Sequence, residues 1–234
     1  NLGNIFRELG ENQKAKDCYK KAIAINPSYA DAHNNLGVIF RILKDYQKAL
    51  GCHEKVIEFN PNNADAHYNL GNVFVALGEN QKAKNYFEKT IELNPNYADA
   101  HFNLGILLKD LKDYQKAISC YQKIIKINPN YTDAHNNLGY IFKELGDYQK
   151  AKECYEKAIE LNPNNAMVYN NLGNIFKELG ENQRAKECFE KTIAINPSFT
   201  DVHTNLGLTY NDLNDYQKAK ECFEKAIEIN PNHP

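Results

Sequence analysis

The 34 residues from Ala64 to Tyr97 decide the fold of this chain, and they read ADAHYNLGNVFVALGENQKAKNYFEKTIELNPNY. In the first half, apolar residues recur at Leu70, Val73, Phe74 and Leu77. This spacing predicts an amphipathic helix, helix A. A second helix, helix B, is expected to end before Pro95, because the residue preceding a proline is pushed out of helical geometry. The stretch therefore predicts a helical hairpin.

The same pattern recurs every 34 residues along the 234-residue chain. A glycine keeps this period at Gly3, Gly37, Gly71, Gly105, Gly139, Gly173 and Gly207, and a proline keeps it at Pro27, Pro61, Pro95, Pro129, Pro163, Pro197 and Pro231. Such a period indicates an array of helical hairpins in which each repeat contacts its neighbours. A glycine inside a helix costs about 1 kcal/mol relative to alanine. We therefore expect helix B to approach closely at Gly71, with Ala83 as the small residue opposite.

Composition excludes several classes of partner. The formal net charge is -2, with 28 basic and 30 acidic residues, so no basic surface predicts nucleic-acid binding. No apolar run approaches the roughly 20 residues that span a bilayer, so no membrane is expected as a partner. The sequence begins inside a repeat and ends without a polar capping helix, which favours a fragment of a longer protein and end-to-end self-association.

The six cysteines occupy equivalent places in their repeats, at Cys18, Cys52, Cys120, Cys154, Cys188 and Cys222. Equivalent positions in stacked hairpins lie about 10 Å apart. A disulfide needs Cα atoms within about 7 Å. We therefore expect free thiols that serve packing rather than redox or metal chemistry, in a cytoplasmic protein.

The motif residues of the third repeat are His67, Leu70, Gly71, Phe74, Ala83, Phe87 and Pro95. They resemble the tetratricopeptide repeat, whose pattern is aromatic-x2-Leu-Gly-x2-Tyr, then Ala-x3-Phe, then Pro. The resemblance covers essentially the whole chain and implies an all-α, right-handed α-solenoid (superhelix) of about seven helix-turn-helix repeats. The expected single array, 1–234, has repeats of about 1–29, 30–63, 64–97, 98–131, 132–165, 166–199 and 200–234.

The resemblance also implies a concave groove lined by the A helices, with the second, fifth, sixth, ninth, twelfth and thirteenth places of each repeat facing it. The sixth place is always asparagine, at Asn1, Asn35, Asn69, Asn103, Asn137, Asn171 and Asn205. A side-chain amide both donates and accepts, so this column could hold the backbone of an extended peptide. It is similar to the asparagine ladder in the superhelical region of protein O-GlcNAc transferase. The alternative is that the asparagine stabilises helix packing or was carried along when the repeat was duplicated. Because asparagine is a poor helix former, we favour ligand binding.

Apolar residues at the fifth and ninth places form a second candidate feature, consisting of Tyr68, Phe102, Ile106 and Tyr140. They could receive an apolar side chain of the ligand. The alternative, ordinary scattered apolar residues on a surface, is equally open.

Charged residues at the twelfth place form a basic row at Arg7, Arg41, Lys109, Lys143 and Lys177. Acidic residues stand beside it at the thirteenth place, namely Glu8, Asp110, Glu144, Glu178 and Asp212. This arrangement favours a solvated charge pattern. Family members that bind chaperone C-terminal carboxylates carry lysines at the second and fifth places and arginine at the sixth. Those residues are absent here, so chaperone-tail binding is not expected.

Histidine occupies the first aromatic place of five repeats, at His33, His67, His101, His135 and His203. A column with the repeat spacing does not bring four ligands within about 2 Å of one metal ion. Packing is therefore the favoured role. Motifs for serine-based or metal-based catalysis are also missing from the sequence, so we expect no enzyme activity, cofactor or metal.

Three functions are consistent with these features. The leading one is a non-catalytic scaffold that binds an extended peptide segment in the groove. The second is the substrate-recognition arm of a larger, glycosyltransferase-like enzyme whose catalytic domain lies outside this sequence. The third is an assembly protein that polymerises through uncapped ends.

Overall fold

The computed structural model describes residues 2–230, and within that range it contains fourteen helices and no strand. The A helices are α1 (Leu2–Glu8), α3 (Ala30–Ile42), α5 (Ala64–Ala76), α7 (Ala98–Asp110), α9 (Thr132–Glu144), α11 (Ala166–Glu178) and α13 (Thr200–Asp212). The B helices are α2 (Asn12–Ile25), α4 (Tyr46–Phe59), α6 (Asn80–Leu93), α8 (Tyr114–Ile127), α10 (Tyr148–Leu161), α12 (Asn182–Ile195) and α14 (Tyr216–Ile229). The all-α prediction of seven helical hairpins is confirmed. None of these helices combines the length and apolar character that crossing a bilayer requires.

The helices form two compact units, residues 1–120 and residues 121–234, and the boundary between them falls within α8. In the first unit, α1, α3 and α5 each contact the B helix that follows, and α2, α4 and α6 each contact the next A helix. The second unit repeats this order from α9 to α14. Within each unit, successive hairpins therefore bury their apolar faces against one another, as the 34-residue period predicts.

In six hairpins the helix A glycine lies directly against a ring of helix B. A Cβ built on Gly71 would lie 2.5 Å from Cε1 of Phe87, and one built on Gly173 would lie 2.6 Å from Cε1 of Phe189. The predicted close approach is thus confirmed. The expected residue opposite the glycine is wrong, because the nearest atoms belong to the aromatic ring of helix B rather than to Ala83.

The turn from helix A to helix B requires one residue with positive φ. Gly78 supplies it at φ 74°, as glycine does most easily. Lys44, Lys112 and Asn214 take the same place in other repeats, with φ values of 60°, 59° and 61°. A side chain in this left-handed region costs about 1–2 kcal/mol, except that asparagine tolerates it more readily, so the two lysine turns are strained relative to the glycine turns.

Candidate peptide-binding face

One surface of each compact unit is formed by A helices lying side by side. In the first unit α3 contacts α5, and in the second α9 and α13 both contact α11. We call this surface the A-helix face and define it by the fifth, sixth, ninth and twelfth places of the A helices. Its asparagine column is half-buried throughout, at Asn35, Asn69, Asn103, Asn137, Asn171 and Asn205; Asn1 lies outside the described residues.

In the first unit, the column is joined to the preceding repeat by side-chain hydrogen bonds. Asn69 donates through Nδ2 to Oδ1 of Asn34, at 2.9 Å. Asn103 donates through Nδ2 to Oδ1 of Asn72, at 2.8 Å, and to the hydroxyl of Tyr68, at 3.2 Å. These amides therefore hold neighbouring A helices together.

The second unit uses the same bond. Asn171 Nδ2 donates to Asn136 Oδ1 at 3.4 Å, and Asn205 Nδ2 donates to Asn170 Oδ1 at 3.3 Å. Asn137 departs from this rule, because its Nδ2 donates to the backbone carbonyl of Asp133 in its own helix, at 2.8 Å.

In four of these asparagines the amide nitrogen is thus occupied while the amide oxygen is not, whereas Oδ1 of Asn35 already accepts from Nη1 of Arg7 at 2.8 Å. Within residues 2–230, Oδ1 of Asn69, Asn103, Asn171 and Asn205 accepts no hydrogen bond. Helix packing, the alternative left open by the sequence, accounts for the donor half of these four amides. The acceptor half remains available to a ligand, and ligand binding by the column stays a prediction.

The predicted apolar residues fall in both units. Tyr68, Phe102 and Ile106 are half-buried on the A-helix face of the first unit, whereas Tyr140 is 38% exposed on that of the second. The ring of Tyr68 lies 4.9 Å from that of Tyr97, centroid to centroid. Tyr68 is therefore held in place by a neighbouring ring, whereas Tyr140 is the more accessible residue.

Tyr97 is itself fixed by a carboxylate. Its hydroxyl donates to Oδ1 of Asp65 at 2.8 Å. Burial and this hydrogen bond both raise the pKa of Tyr97, so the phenol stays protonated and keeps donating.

The histidine column tethers the turn that precedes each A helix. Nε2 of His67 lies 2.9 Å from the carbonyl oxygen of Pro61, and the same bond links His33 with Pro27, His101 with Pro95, His135 with Pro129 and His203 with Pro197. Because a carbonyl oxygen only accepts, Nε2 carries a proton and donates this bond. Within residues 2–230, no group of three or more His, Cys, Asp or Glu residues is arranged to hold a metal ion.

Burial lowers the reactivity of several thiols in the cysteine column. All six thiols are free, and each is buried or half-buried. Burial raises the pKa of Cys52, Cys120 and Cys154 to about 11 and that of Cys188 to about 12. Since the thiolate is the reactive form, these residues serve packing rather than nucleophilic chemistry.

The second repeat departs from the pattern at His53, which stands where other repeats have Phe or Tyr. Its side chain is fully buried against Gly37, and Nδ1 bonds Oδ1 of Asn34 at 3.0 Å. Nε2 is buried without a partner. Burial, with a smaller effect of the Arg41 charge, lowers the pKa of His53 to about 4, so the ring is neutral.

The basic row is largely neutralised. Ion pairs join Arg7 to Glu8 at 3.0 Å, Lys109 to Asp110 at 3.7 Å, Lys143 to Glu144 at 3.5 Å and Lys177 to Asp212 at 3.6 Å. These pairs agree with the interpretation of the row as a solvated charge pattern. Arg41 is the exception, and the sequence signal is Ile42, which replaces the acidic residue at the thirteenth place.

The helical hairpins and their 34-residue motif define this chain as a helical repeat protein. Protein-family models identify the type of repeat. Models described as tetratricopeptide repeat match residues 64–97, 98–131, 132–165, 200–233 and 154–187, and a model described as TPR repeat matches 3–41 and 37–78. The chain belongs to the tetratricopeptide repeat family. No curated protein matches it in sequence.

Solved structures share the fold. MamA is 26% identical with a TM-score of 0.67, covering 71% of this chain and 91% of its own. YrrB, described as a TPR protein with an unusual peptide-binding site, is 24% identical with a TM-score of 0.67, covering 88% and 97%. Pseudomonas aeruginosa PilF is 21% identical with a TM-score of 0.75, covering 87% and 93%. The similarities to YrrB and PilF show only that the fold is shared.

Proposed function

We propose that this protein is a non-catalytic scaffold whose A-helix face binds an extended segment of another protein. Membership of the tetratricopeptide repeat family supports a protein-interaction role. The observation that carries the finer proposal is the row of half-buried asparagine oxygens that accept no hydrogen bond within residues 2–230. Such oxygens suit the backbone N–H groups of a ligand, which are obligatory donors. A cytoplasmic setting fits six free thiols.

The spacing of the row favours one ligand conformation. Packed helices lie about 8–10 Å apart. A polyproline II segment rises about 3.1 Å per residue with three residues per turn, so its N–H groups point the same way about every 9 Å. Donors three ligand residues apart can therefore meet the free asparagine oxygens of two adjacent repeats, at Asn69 and Asn103 in the first unit or at Asn171 and Asn205 in the second.

The test uses peptides selected from a displayed library of random 12-residue sequences, resynthesised with amidated C-termini and a fluorescent label. Asn69→Ala and Asn103→Ala each remove one acceptor, so we expect affinity to fall about fivefold per variant, the effect of about 1 kcal/mol. Asn85→Ala is the matched control, because Asn85 is exposed on α6, where it accepts from Gln81. Fluorescence anisotropy gives the affinities, and circular dichroism checks helicity.

Asn69→Asp separates ligand binding from packing. It keeps an acceptor oxygen but removes the Nδ2 donor to Asn34. The proposal expects Asn69→Asp to retain affinity that Asn69→Ala loses. Equal affinity of Asn69→Ala, Asn69→Asp and wild type, or failure of the library to yield any binding peptide, would refute the proposed function.

Self-association is a second candidate because α1 and the residue that follows it expose an apolar stripe. Leu2, Ile5 and Leu9 are 58%, 55% and 66% exposed. We propose that this stripe packs against a second copy at high concentration. Sedimentation velocity should show association that Ile5→Glu abolishes; a concentration-independent monomer contradicts it.

A further inference from the structure

Arg41 is the one basic residue at the twelfth place for which the structure shows no ion pair within residues 2–230. The other four, at Arg7, Lys109, Lys143 and Lys177, each contact a carboxylate. Arg41 also makes no hydrogen bond in that range, and its Nε is buried without a partner. A half-buried guanidinium is thus left with unmatched charge and unmatched donors.

The residues that neutralise the other members of the row explain this difference. Arg7, Lys109 and Lys143 each pair with the acidic residue that follows in sequence, whereas Ile42 follows Arg41. Lys177 pairs with Asp212, 35 residues later, and the residue 35 positions after Arg41 is Ala76. Both places that supply a carboxylate in the other repeats are apolar here, so neither neutralises the charge of Arg41.

The location of Arg41 is the A-helix face of the first compact unit. The equivalent Arg7 reaches across to the next A helix and donates through Nη1 to Oδ1 of Asn35, at 2.8 Å. The A helices also carry acidic residues at the second place. In α3 this residue is Asp31, which lies ten residues before Arg41, or about 15 Å along the helix. At this distance the Asp31 carboxylate does not pair with Arg41. The positive charge of Arg41 also contributes to lowering the pKa of the buried His53.

A carboxylate is the ligand group that satisfies these conditions. Guanidinium stays charged at any physiological pH and presents its N–H groups in a planar fork that fits two carboxylate oxygens. Such charge-assisted pairs are stronger than neutral hydrogen bonds. The face continues on both sides of Arg41, from Asn4 in α1 to Asn72 in α5, so it has room for an extended chain that passes across Arg41.

We propose that Arg41 binds the side-chain carboxylate of an aspartate or glutamate in the extended segment held by the A-helix face, which makes the preferred partner an acidic peptide. This assignment rests on the proposed function and adds a residue that makes binding depend on the ligand sequence. It differs from the asparagine column, whose oxygens face backbone groups common to every peptide.

The experiment compares library selection on wild type and on Arg41→Gln. Wild type should enrich peptides with Asp or Glu at one recurring position, and Arg41→Gln should lose that preference. In a synthetic, C-terminally amidated peptide, replacing that acidic residue by its amide should weaken wild-type binding about tenfold, which corresponds to about 1.4 kcal/mol. The same replacement should have no effect on binding to Arg41→Gln.

Two further variants sharpen the comparison. Lys55→Gln removes the same charge from the α4 surface, where Lys55 pairs with Glu58, and should retain the acidic preference. Arg41→Lys keeps the charge without the fork and should retain part of the tenfold discrimination. If Arg41→Gln proves unfolded by circular dichroism, Arg41→Lys and the peptide series still decide the outcome.

The outcomes distinguish this inference from the proposed function. Selection of peptides that respond to Asn69→Ala but have no acidic position overturns the role of Arg41 and leaves the scaffold function standing. Equal loss of binding to wild type and Arg41→Gln on amidation of the acidic side chain also overturns it. Dependence on a free C-terminal carboxylate alone would replace a side-chain ligand with a chain end. Absence of any selected peptide refutes the scaffold function itself.

Discussion

Replacement of His53 by phenylalanine should stabilise the protein, and more strongly at acidic pH. His53 is fully buried against Gly37, with Nε2 unpartnered. Phenylalanine already occupies this place against the equivalent glycine at Phe87 and Phe189. A buried polar group without a hydrogen-bond partner costs about 1–3 kcal/mol of stability, and His53→Phe removes this cost at Nε2. It also loses one hydrogen bond to Asn34, whose oxygen still accepts from Asn69.

The pH dependence follows from the pKa of His53, which is about 4 in the folded protein against an ordinary value of 6.5. Between these values the unfolded chain binds a proton that the folded protein does not. Stability is therefore full above about pH 6.5 and falls as the pH drops towards 4. A difference of about 2.5 between the two pKa values, at about 1.36 kcal/mol for each, amounts to about 3 kcal/mol.

The assay is urea denaturation of wild type and His53→Phe at several pH values from 7.5 to 4. The stabilisation by His53→Phe should grow by about 3 kcal/mol over this range, while groups common to both proteins cancel. Tyr155→Phe is the matched control, because Tyr155 holds the same place with a buried, unpartnered hydroxyl that stays protonated below pH 7.5. A stability difference that is independent of pH would refute this account of His53.

Three other substitutions or treatments test the packing. Gly71→Ala should destabilise by about 1–3 kcal/mol in thermal or urea denaturation because its Cβ would overlap Phe87, whereas Gly51→Ala, in open space, should stabilise by up to about 1 kcal/mol; equal effects contradict the close approach. Lys44→Gly should stabilise by about 1 kcal/mol by relieving positive φ, and a lower melting temperature would be the opposite result. Cys188 should resist iodoacetamide at pH 8, followed by mass spectrometry, unless urea is added, because burial raises its pKa to about 12; rapid alkylation of folded protein would disagree.

The sequence predicts the helical hairpins well because their determinants are local. Apolar spacing, Gly71 and Pro95 act within one repeat, and the structure has the helices where these residues imply them. The prediction that Ala83 lies opposite Gly71 is wrong, because Phe87 does. The rotation of the two helices about their axes decides which helix B side chain meets the glycine. That rotation is a property of packing rather than of spacing.

The site is less predictable because its hydrogen bonds join different repeats. The amide of Asn69 reaches Asn34, 35 residues earlier, so its free oxygen and occupied nitrogen follow from the alignment of neighbouring helices. The bond from His67 to the carbonyl of Pro61 depends on the path of the turn. The sequence does contain a signal for the unmatched charge of Arg41, namely Ile42 at the place of an acidic residue. The signal can be interpreted only once the ion pairs of the other repeats are known.

The most direct test of peptide binding by the A-helix face is an N-methyl scan of the best library-selected 12-residue peptide. Methylation removes one backbone donor at a time without changing the protein. If asparagine oxygens of successive repeats accept from a polyproline II segment, methylation should weaken binding about fivefold at amides three residues apart and have little effect at those between. Uniform tolerance of N-methylation at every position would contradict the account.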